Sequence, residues 1–593
     1  MSDDLKPYSV HSFMLPFRWD YLPVGFDVDK QGKEAIPFEK RTDLNKFREL
    51  LVKSNEKWKR KFFMINGEAE NFNEIHYFHA YAANTMFDLQ QCDEVDENHI
   101  HESKVMVYLE LDVEPDTDTY TIYIKEQKND GTEQKKEYTL RIAGISLHIY
   151  NTGVAILTLN VENHNYVEKE HILYINEYGR RLYPQFLSDS YPATKAVKST
   201  FLADKIMLNI TGMDGLEDDF SEYDTVSDRE VHHRVGNDFK RGSVVRVPKY
   251  IRCLFGENFC FIQQDEVEKM QLEKIRLNIL TDDRMFFQCW YGSDEVASQL
   301  EIKTCENSFQ KTLKGQYDTI KGMKEWSGSL ITKKEKTHHQ YLTDKFWHAY
   351  LFGDKNEPSI ANMDMQKRIT NTHTYSRWAN YGTLYGFTRD SFVVVSQSIP
   401  TLIKNAPNLR TQMKTMYYQM AVLGLAQRAS MLRFSAEVSL LADMTKTGKD
   451  KKLVENVKVL YQCYIEFVNK LNYREITPYI QGKEMYDQYR KVMGVQEDVK
   501  SLDGELNELF NYIKLREEEK QGDEAHNLTK VATWFLPASF IASLFGISFI
   551  RENTTLSGKM DNELWMVWGI IILGGILSSL LIFKLLKKQK DGR

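Results

Sequence analysis

Two long apolar runs near the end of the chain, residues 531–550 and 565–583, dominate its hydrophobic pattern. Each contains about 20 residues, enough at a helical rise of about 1.5 Å per residue to cross the roughly 30 Å hydrocarbon core of a bilayer. The polar segment 551–564 between them is predicted to be a short outer loop. The pattern therefore predicts a transmembrane hairpin, and the alternative is a buried apolar hairpin within a soluble domain.

The charges around this hairpin predict its orientation. The tail, residues 584–593, carries four lysines and an arginine, whereas the loop carries basic and acidic residues together. Flanking segments that are rich in lysine and arginine remain in the cytoplasm. We therefore expect a two-pass protein of the inner (cell) membrane, with both termini in the cytoplasm and the lipid bilayer as a partner.

Before the hairpin, the pattern changes from strands to helices near residue 400. Alternating apolar and polar residues, with many β-branched side chains, predict antiparallel strands in the first part of the chain. We expect residues 1–400 to form a cytosolic α+β sensor or ligand-binding region, either as one body or as two subdomains divided within the polar stretch 303–336. The predicted strands are 105–113, 120–125, 138–142, 145–150, 155–161, 279–291 and 383–396.

After residue 400, apolar residues recur at helical spacing and predict an antiparallel helical pair over 401–477 and a stalk helix over 478–530. Apolar positions three and four residues apart along the stalk suit packing against parallel copies of the chain or against neighbouring helices of the same chain. Gly494, Gly504 and Gly522 could each mark a bend, because glycine destabilises a helix. The apolar stalk positions are Met485, Tyr489, Val492, Val499, Leu502, Leu506, Leu509 and Ile513.

Composition narrows the function classes without choosing among them. The formal net charge of the 593 residues is -7, so the bulk charge predicts no direct binding to nucleic acid. The six cysteines include no Cys-x-x-Cys pair, which argues against a zinc site and a disulfide framework. The sequence contains no Gly-x-x-x-x-Gly-Lys-Ser/Thr, Gly-x-Ser-x-Gly or His-Glu-x-x-His motif, so we expect no enzyme activity.

Two charged clusters in the first 400 residues are candidate ligand sites. The acidic cluster could bind a divalent cation, or it could be a solvated acidic loop. The basic cluster could hold phosphate groups, because arginine matches phosphate oxygens, or it could form a strand edge or salt bridges. The acidic residues are Asp214, Glu217, Asp218 and Asp219, and the basic residues are Arg180, Arg181, Arg241, Arg246, Lys249 and Arg252.

The junction between the stalk and the hairpin begins with Leu528-Thr529, continues through Phe535-Leu536-Pro537 and reaches Gly546-Ile547-Ser548. It resembles the pore helix of the CorA family of divalent-cation channels, which has a Leu-Thr start, a Phe-x-Pro centre and a Gly-Met-Asn end. The order of parts is also similar, with an α/β cytoplasmic domain, a helical pair, a stalk helix, two membrane helices and a basic tail. No matching motif is found in residues 1–400.

The resemblance implies a homopentamer whose first membrane helix lines a pore for divalent cations such as Mg²⁺. The leucines of this helix could form a hydrophobic constriction, whereas Ser539 and Ser543 could instead be small residues that pack helices together. At the pore mouth, Gly546-Ile547-Ser548 replaces Gly-Met-Asn, which predicts weak magnesium selectivity or a different permeant ion. The implied pore-lining residues are Leu528, Leu536, Ser539, Ser543 and Ser548.

A large cytosolic domain on such a pore resembles the CorA-like effectors encoded beside type III CRISPR systems. That resemblance implies that a nucleotide second messenger of the S-adenosylmethionine–AMP type binds the cytosolic domain and opens the pore, which permeabilises the membrane of an infected cell. Two other functions stay open. One is a constitutive or metal-regulated transporter of Mg, Co or Zn, and the other is a membrane-anchored binding protein or enzyme that conducts no ions.

Overall fold

The chain divides into two compact units, Met1–Leu506 and Asn507–Arg593, in the computed structural model. The second unit contains most of a long helix that begins in the first unit. The structure describes residues 6–24, 37–61, 69–87, 105–127, 131–183, 186–187, 196–197, 202–220, 247–261, 272–280, 283–300, 340–355, 359–398, 409–444, 450–553 and 573.

A large mixed sheet forms the centre of the first unit. The strands are β1 (Ser9–Leu22), β2 (Trp58–Arg60), β3 (Met106–Leu111), β4 (Thr119–Gln127), β5 (Glu133–Tyr150), β6 (Val154–Asn163), β7 (Phe186–Leu187), β8 (Ala196–Val197), β9 (Lys205–Asn209), β10 (Glu217–Asp219), β11 (Phe259–Phe261), β12 (Lys274–Ile279), β13 (Phe286–Gly292), β14 (Thr374–Tyr375), β15 (Leu384–Phe387) and β16 (Ser391–Ser396). Neighbouring strands follow the order β10-β9-β4-β5-β6-β1-β13-β16-β15-β14. The strands β2, β3, β11 and β12 join this sheet beside β5 and β1, and β7 pairs with β8 in a separate hairpin.

Helices cover both faces of this sheet. His11 and Phe13 of β1 contact the helix Lys169–Gly179, through Asn176 and against Gly179. Asp20 points to the other face, because side chains alternate along a strand, and it contacts the helix Met416–Met444. The α-helices of the described residues are Phe38–Arg41, Leu44–Ser54, Ala69–His76, Ala80–Met86, Lys169–Gly179, Lys249–Phe255, Asp294–Leu300, Lys345–Phe352, Met363–His373, Leu409–Lys414, Met416–Met444, Asp450–Lys470, Ile480–Met493 and Val495–Asn553, and the 3-10 helices are Gln340–Leu342 and Ala379–Tyr381.

The structure confirms the predicted antiparallel strands around residues 105–161, with one difference. The predicted strands 138–142 and 145–150 form the single strand β5, whose pairing with β6 shifts between Ile142 and Gly144. Gly153, with φ of 74°, lies in the turn between β5 and β6. This shift in pairing is a β-bulge, which keeps one long strand in the sheet where the sequence pattern predicts two short strands.

The later predicted strands each divide in two. The segment predicted as 279–291 contains the last residue of β12 and all of β13 except Gly292, and the segment predicted as 383–396 contains β15 and β16. Phe287 to Gly292 of β13 pair in parallel with Ser391 to Ser396 of β16. The strands on either side of the polar stretch 303–336 therefore belong to one sheet, and the sheet does not divide there.

The long central strand β1 was not predicted. Its buried Ser9, His11 and Asp20 interrupt the apolar pattern. Pro16 lies where the partner strand changes from β13 to β12, and its carbonyl accepts the N–H of Leu280 (3.0 Å) on that side. A proline is tolerated here because the N–H that it lacks would fall between two ladders.

The predicted helical pair corresponds to the helices Met416–Met444 and Asp450–Lys470, which meet where Phe434 contacts Tyr464 and Phe467. The first helix also packs on the sheet, where the hydroxyls of Tyr418 and Ser146 lie 2.8 Å apart. The pair therefore belongs to the same compact unit as the sheet, because its apolar surface is buried against the strands.

Candidate functional site

A break at Gly494 divides the predicted stalk helix. The helix Ile480–Met493 ends before this residue, and the helix Val495–Asn553 begins directly after it. Gly494 has φ of 75°, a left-handed conformation that glycine adopts without steric cost. Gly504 and Gly522 lie inside the second helix and do not break it. The stalk predicted as one helix over 478–530 is therefore two helices joined at a single residue.

Hydrogen bonds on both sides of Gly494 hold this break. The N–H of Gly494 donates to the carbonyl of Lys491 (3.2 Å). The carbonyl of Gly494 accepts the N–H groups of Glu497 (3.1 Å) and Asp498 (3.0 Å). One glycine thus satisfies the last turn of one helix and the first turn of the next.

The apolar seam of the stalk is buried within a single chain in its first part. Met485, Tyr489, Leu502 and Leu506 are all buried. The Tyr489 hydroxyl donates to a backbone carbonyl of the helix Met416–Met444 (3.2 Å), and its ring lies against a glycine of that helix. These contacts favour packing against neighbouring helices of the same chain for this part of the seam.

The pore-lining residues that the family resemblance implies fall in the helix Val495–Asn553. Leu528 is 75% exposed, and the hydroxyl of Thr529 donates to the carbonyl of Ala525 (2.7 Å) within the helix. The backbone is helical at the other implied positions, but their side chains lie outside the described residues. These positions are Leu536, Ser539, Ser543, Gly546, Ile547 and Ser548.

The predicted membrane segments lie largely beyond the described part of the chain. The predicted second transmembrane helix (565–583, apart from residue 573), most of the loop 551–564 and the tail 584–593 fall outside the described residues. Among the helices that are described, none combines the length and the apolar character needed to cross a membrane.

The break, the stalk and the apolar runs all lie in a segment that resembles a known family. Residues 449–588 match the family model of the CorA-like Mg²⁺ transporter protein. The C-terminal part of the chain is therefore similar to the CorA-like transporters over these residues. The matched range begins directly before the helix Asp450–Lys470 and includes both apolar runs. No curated protein matches the chain.

The match supports the resemblance at the level of the family. It suggests a divalent-cation channel or transporter, with a cation such as Mg²⁺ as the transported ion. CorA-family proteins are homo-oligomeric membrane channels, which is consistent with the predicted oligomer and the predicted lipid partner. The α+β unit and the helical region also fit a CorA-like soluble part. The pentamer, the altered pore mouth and the CRISPR-associated subtype stay predictions.

The acidic residues of the predicted metal cluster do not converge. Glu217 of β10 forms an ion pair with Lys205 of β9 (2.5 Å). Asp218 is buried on the opposite side of the strand and accepts the N–H of Lys249 (2.5 Å), while Asp219 is exposed. Asp214 precedes the strand. Strand alternation places Asp218 on the face opposite Glu217 and Asp219. The described residues contain no group of three or more side chains that could hold a metal ion.

Arg180 and Arg181 are buried and neutralise buried carboxylates. Arg181 donates to Glu177 (2.8 Å from Nε) and forms an ion pair with Asp283. Arg180 donates to Glu177 (3.3 Å) and to the carbonyls of Phe352 (3.2 Å) and Gly353 (3.1 Å). These contacts agree with the salt-bridge alternative for the two arginines, because the core supplies their acceptors.

The rest of the basic cluster is divided. Lys249 begins the helix Lys249–Phe255, and Arg252 lies half-buried in its last turn. Arg241 and Arg246 lie outside the described residues. Lys249 and Arg252 therefore lie on a different element from Arg180 and Arg181, which follow the helix Lys169–Gly179.

A cleft of about 1080 Å³ lies next to the helix break. Its walls come from Arg284 shortly before β13, the ends of the helices Lys345–Phe352 and Met363–His373, the turn between β15 and β16, and the helix Ile480–Met493. These segments are far apart in sequence, so no local motif predicts the cleft. The lining includes Arg284, Phe352, His373, Arg389, Asp390 and Lys491, none of which was among the predicted site residues.

Proposed function

We propose that this chain is a subunit of a CorA-like membrane channel whose pore is controlled by its large α+β unit. The family match over 449–588 carries this proposal, because the matched range contains both apolar runs and the helices that lead into them. The high exposure of Leu528 in a single chain also suits a position on the surface between subunits. On this proposal, several copies surround a pore lined by the first apolar run.

The finer proposal is that a nucleotide second messenger opens the pore, as in an antiviral effector of a type III CRISPR system. Two observations support this choice over a housekeeping transporter. Gly546-Ile547-Ser548 lacks the asparagine amide that the family places at the pore mouth for hydrated magnesium, which releases its waters reluctantly. The α+β unit also contains a nucleotide-sized cleft directly before the long helix.

Ion flux into proteoliposomes tests this proposal. The purified full chain is reconstituted, and the entry of Mg²⁺ and K⁺ is measured with fluorescent indicators before and after addition of S-adenosylmethionine–AMP, cyclic oligoadenylates or ATP. We expect little flux without a nucleotide and rapid flux with one of them. Constitutive Mg²⁺ flux that no nucleotide alters would refute the effector function, whereas the proposal of a channel would stand.

A constitutive or metal-regulated divalent-cation transporter is the second candidate, and the family match favours it, since the matched model describes Mg²⁺ transport. Expression in a host that lacks its own magnesium transport should then restore growth. The double variant Ile547→Met, Ser548→Asn restores the family's pore mouth and is expected to increase rescue. Failure of both proteins to rescue, despite good expression, would count against transport.

The third function, a membrane-anchored protein without conduction, is separated from both channels by the oligomeric state. The mass of the detergent-extracted full chain measures it directly. A homopentamer is expected for a CorA-like pore, and a monomer would contradict both channel proposals.

A further inference from the structure

The cleft beside the helix break contains basic side chains without a carboxylate partner. Arg389, in the turn between β15 and β16, and Lys491, in the last turn of the helix before Gly494, both line it and are exposed. Within the described part of the chain, neither side chain forms an ion pair. Arg284 lies 3.7 Å from Asp283 and 3.9 Å from Asp390, at distances that leave it free to bind a closer anion.

Aromatic and hydrogen-bonding groups lie along another part of the wall. Phe352 meets the ring of His373 edge-on, with 5.6 Å between ring centroids. His373 Nδ1 lies 2.6 Å from the carbonyl of Phe387 and donates to it, which leaves Nε2 of the neutral ring as an acceptor. Burial lowers the pKa of His373, so this neutral form is the resting one. The wall therefore offers an apolar ring surface next to a hydrogen-bond acceptor.

The acidic residues that line the cleft form no ion pairs with Arg389 or Lys491 within the described part of the chain. Asp354 accepts the N–H of Ser359 (3.2 Å), and burial raises the pKa of its carboxyl group. Asp390 lies near Arg284, and Asp487 is exposed one turn before Lys491. Groups of both signs suit a ligand with an anionic part and a hydrogen-bond-donating part better than a simple inorganic anion.

We propose that this cleft is a nucleotide site, in which Arg389 and Lys491 bind a phosphate group and Phe352 packs against the base. A volume of about 1080 Å³ can hold a nucleotide or a dinucleotide. Phosphate oxygens match the guanidinium group of arginine, and the base supplies a flat apolar face with polar edges. This assignment rests on the proposed function, because it places the binding site of the nucleotide that is proposed to open the pore.

The position of Arg389 links this site to the helix break. One guanidinium nitrogen of Arg389 lies 3.5 Å from where a Cβ atom would stand on Gly494. The backbone carbonyl of Arg389 accepts a hydrogen bond from Arg428 (3.0 Å), which fixes the turn. The Asp498 carboxylate, in the first turn of the helix Val495–Asn553, lies 3.9 Å from the same Cβ position. A phosphate bound by Arg389 and Lys491 would therefore neutralise basic groups close to the start of this helix.

Binding to charge-removing variants tests the site. Isothermal titration of the detergent-purified full chain is performed with S-adenosylmethionine–AMP, cyclic oligoadenylates, cyclic di-AMP, ATP and pyrophosphate, each up to millimolar concentration. Arg389→Gln and Lys491→Gln should each lower the affinity for the nucleotide that binds by about tenfold or more, because each removes a charge-assisted hydrogen bond. Arg368→Gln and Lys500→Gln are matched controls, since both residues are exposed and lie outside the cleft.

A fourth variant separates a nucleotide from a free phosphate. Phe352→Leu should weaken nucleotide binding and leave pyrophosphate binding unchanged. Unchanged affinity in Arg389→Gln and Lys491→Gln, or no binding of any of these compounds to the wild type, would overturn the site. If a nucleotide opens the pore but binds both variants normally, the site is wrong and the proposed function stands. If a nucleotide binds at the cleft without any change in flux, the proposed site stands and gating by the nucleotide is refuted.

Discussion

The carboxylate of Asp20 should be a principal stabilising group of the α+β unit. It lies 2.5 Å from Arg433, 2.9 Å from Arg41 and 2.9 Å from Arg276, and its side chain is 1% exposed. Glu437 is the second carboxylate of this group and contacts Arg41 (2.6 Å) and Arg433 (3.1 Å). Three guanidinium groups are therefore held by two carboxylates, where β1 meets the helix Met416–Met444.

Asp20→Asn keeps the shape of this side chain and removes its charge. Of the two carboxylates, Arg433 and Arg41 would then keep only Glu437, and Arg276 would lose the carboxylate that it contacts. Breaking a buried ion pair costs about 3–5 kcal/mol. With an unfolding entropy of roughly 2 cal/mol/K per residue, the unit Met1–Leu506 changes stability by about 1 kcal/mol per degree near Tm. We therefore expect Tm to fall by about 3–5 °C if the unit unfolds cooperatively.

Tryptophan fluorescence of the detergent-purified full chain measures this change, because Trp19 is buried beside Asp20. Asp112→Asn is the matched control. Asp112 also forms a short ion pair, at 2.6 Å from Lys59, but both side chains are more than half exposed. Solvent screening makes such pairs contribute little. A Tm decrease for Asp20→Asn no larger than that of the control would refute the reasoning from burial.

Three further predictions concern the same ion group, the helix break and the pore. Burial acts to raise the pKa of Asp20, but the surrounding arginines hold it well below 3.8. The stabilisation that the Asp20 carboxylate provides is therefore complete above the unfolded pKa of about 3.9, and it is lost as the pH falls through the folded pKa. The Tm difference between the wild type and Asp20→Asn should accordingly be constant from neutral pH to about pH 5 and shrink at lower pH. Gly494→Ala should lower Tm by about 1–2 °C and Gly494→Asn by less, because asparagine tolerates φ of 75° better than alanine. Leu536→Asn should raise flux in proteoliposomes without any ligand if a leucine ring gates by dewetting, and unchanged flux would contradict that gate.

Part of the fold follows from local sequence. Strands β3 to β6 were predictable because they are rich in β-branched and aromatic residues and a glycine turn joins β5 to β6. The helical pair and the similarity of the C-terminal part to the CorA family were predictable for a similar reason, since runs of helix-forming residues and the Leu-Thr and Phe-x-Pro motifs are local patterns. Local patterns do not predict which other segments these strands and helices pack against.

The sequence by itself determined the apolar runs, the α+β class and the similarity of the C-terminal part to the CorA family, because each depends on residues that are neighbours in the chain. Only the tertiary structure decided the rest. The polar residues of β1 are buried because partners far away in sequence satisfy them, as Arg433 does for Asp20. Arg180 is a core residue for the same reason, and the cleft exists because Arg389 and Lys491 meet across separate elements. Whether a charged residue pairs in the core or lines a site depends on long-range packing, which local periodicity does not encode.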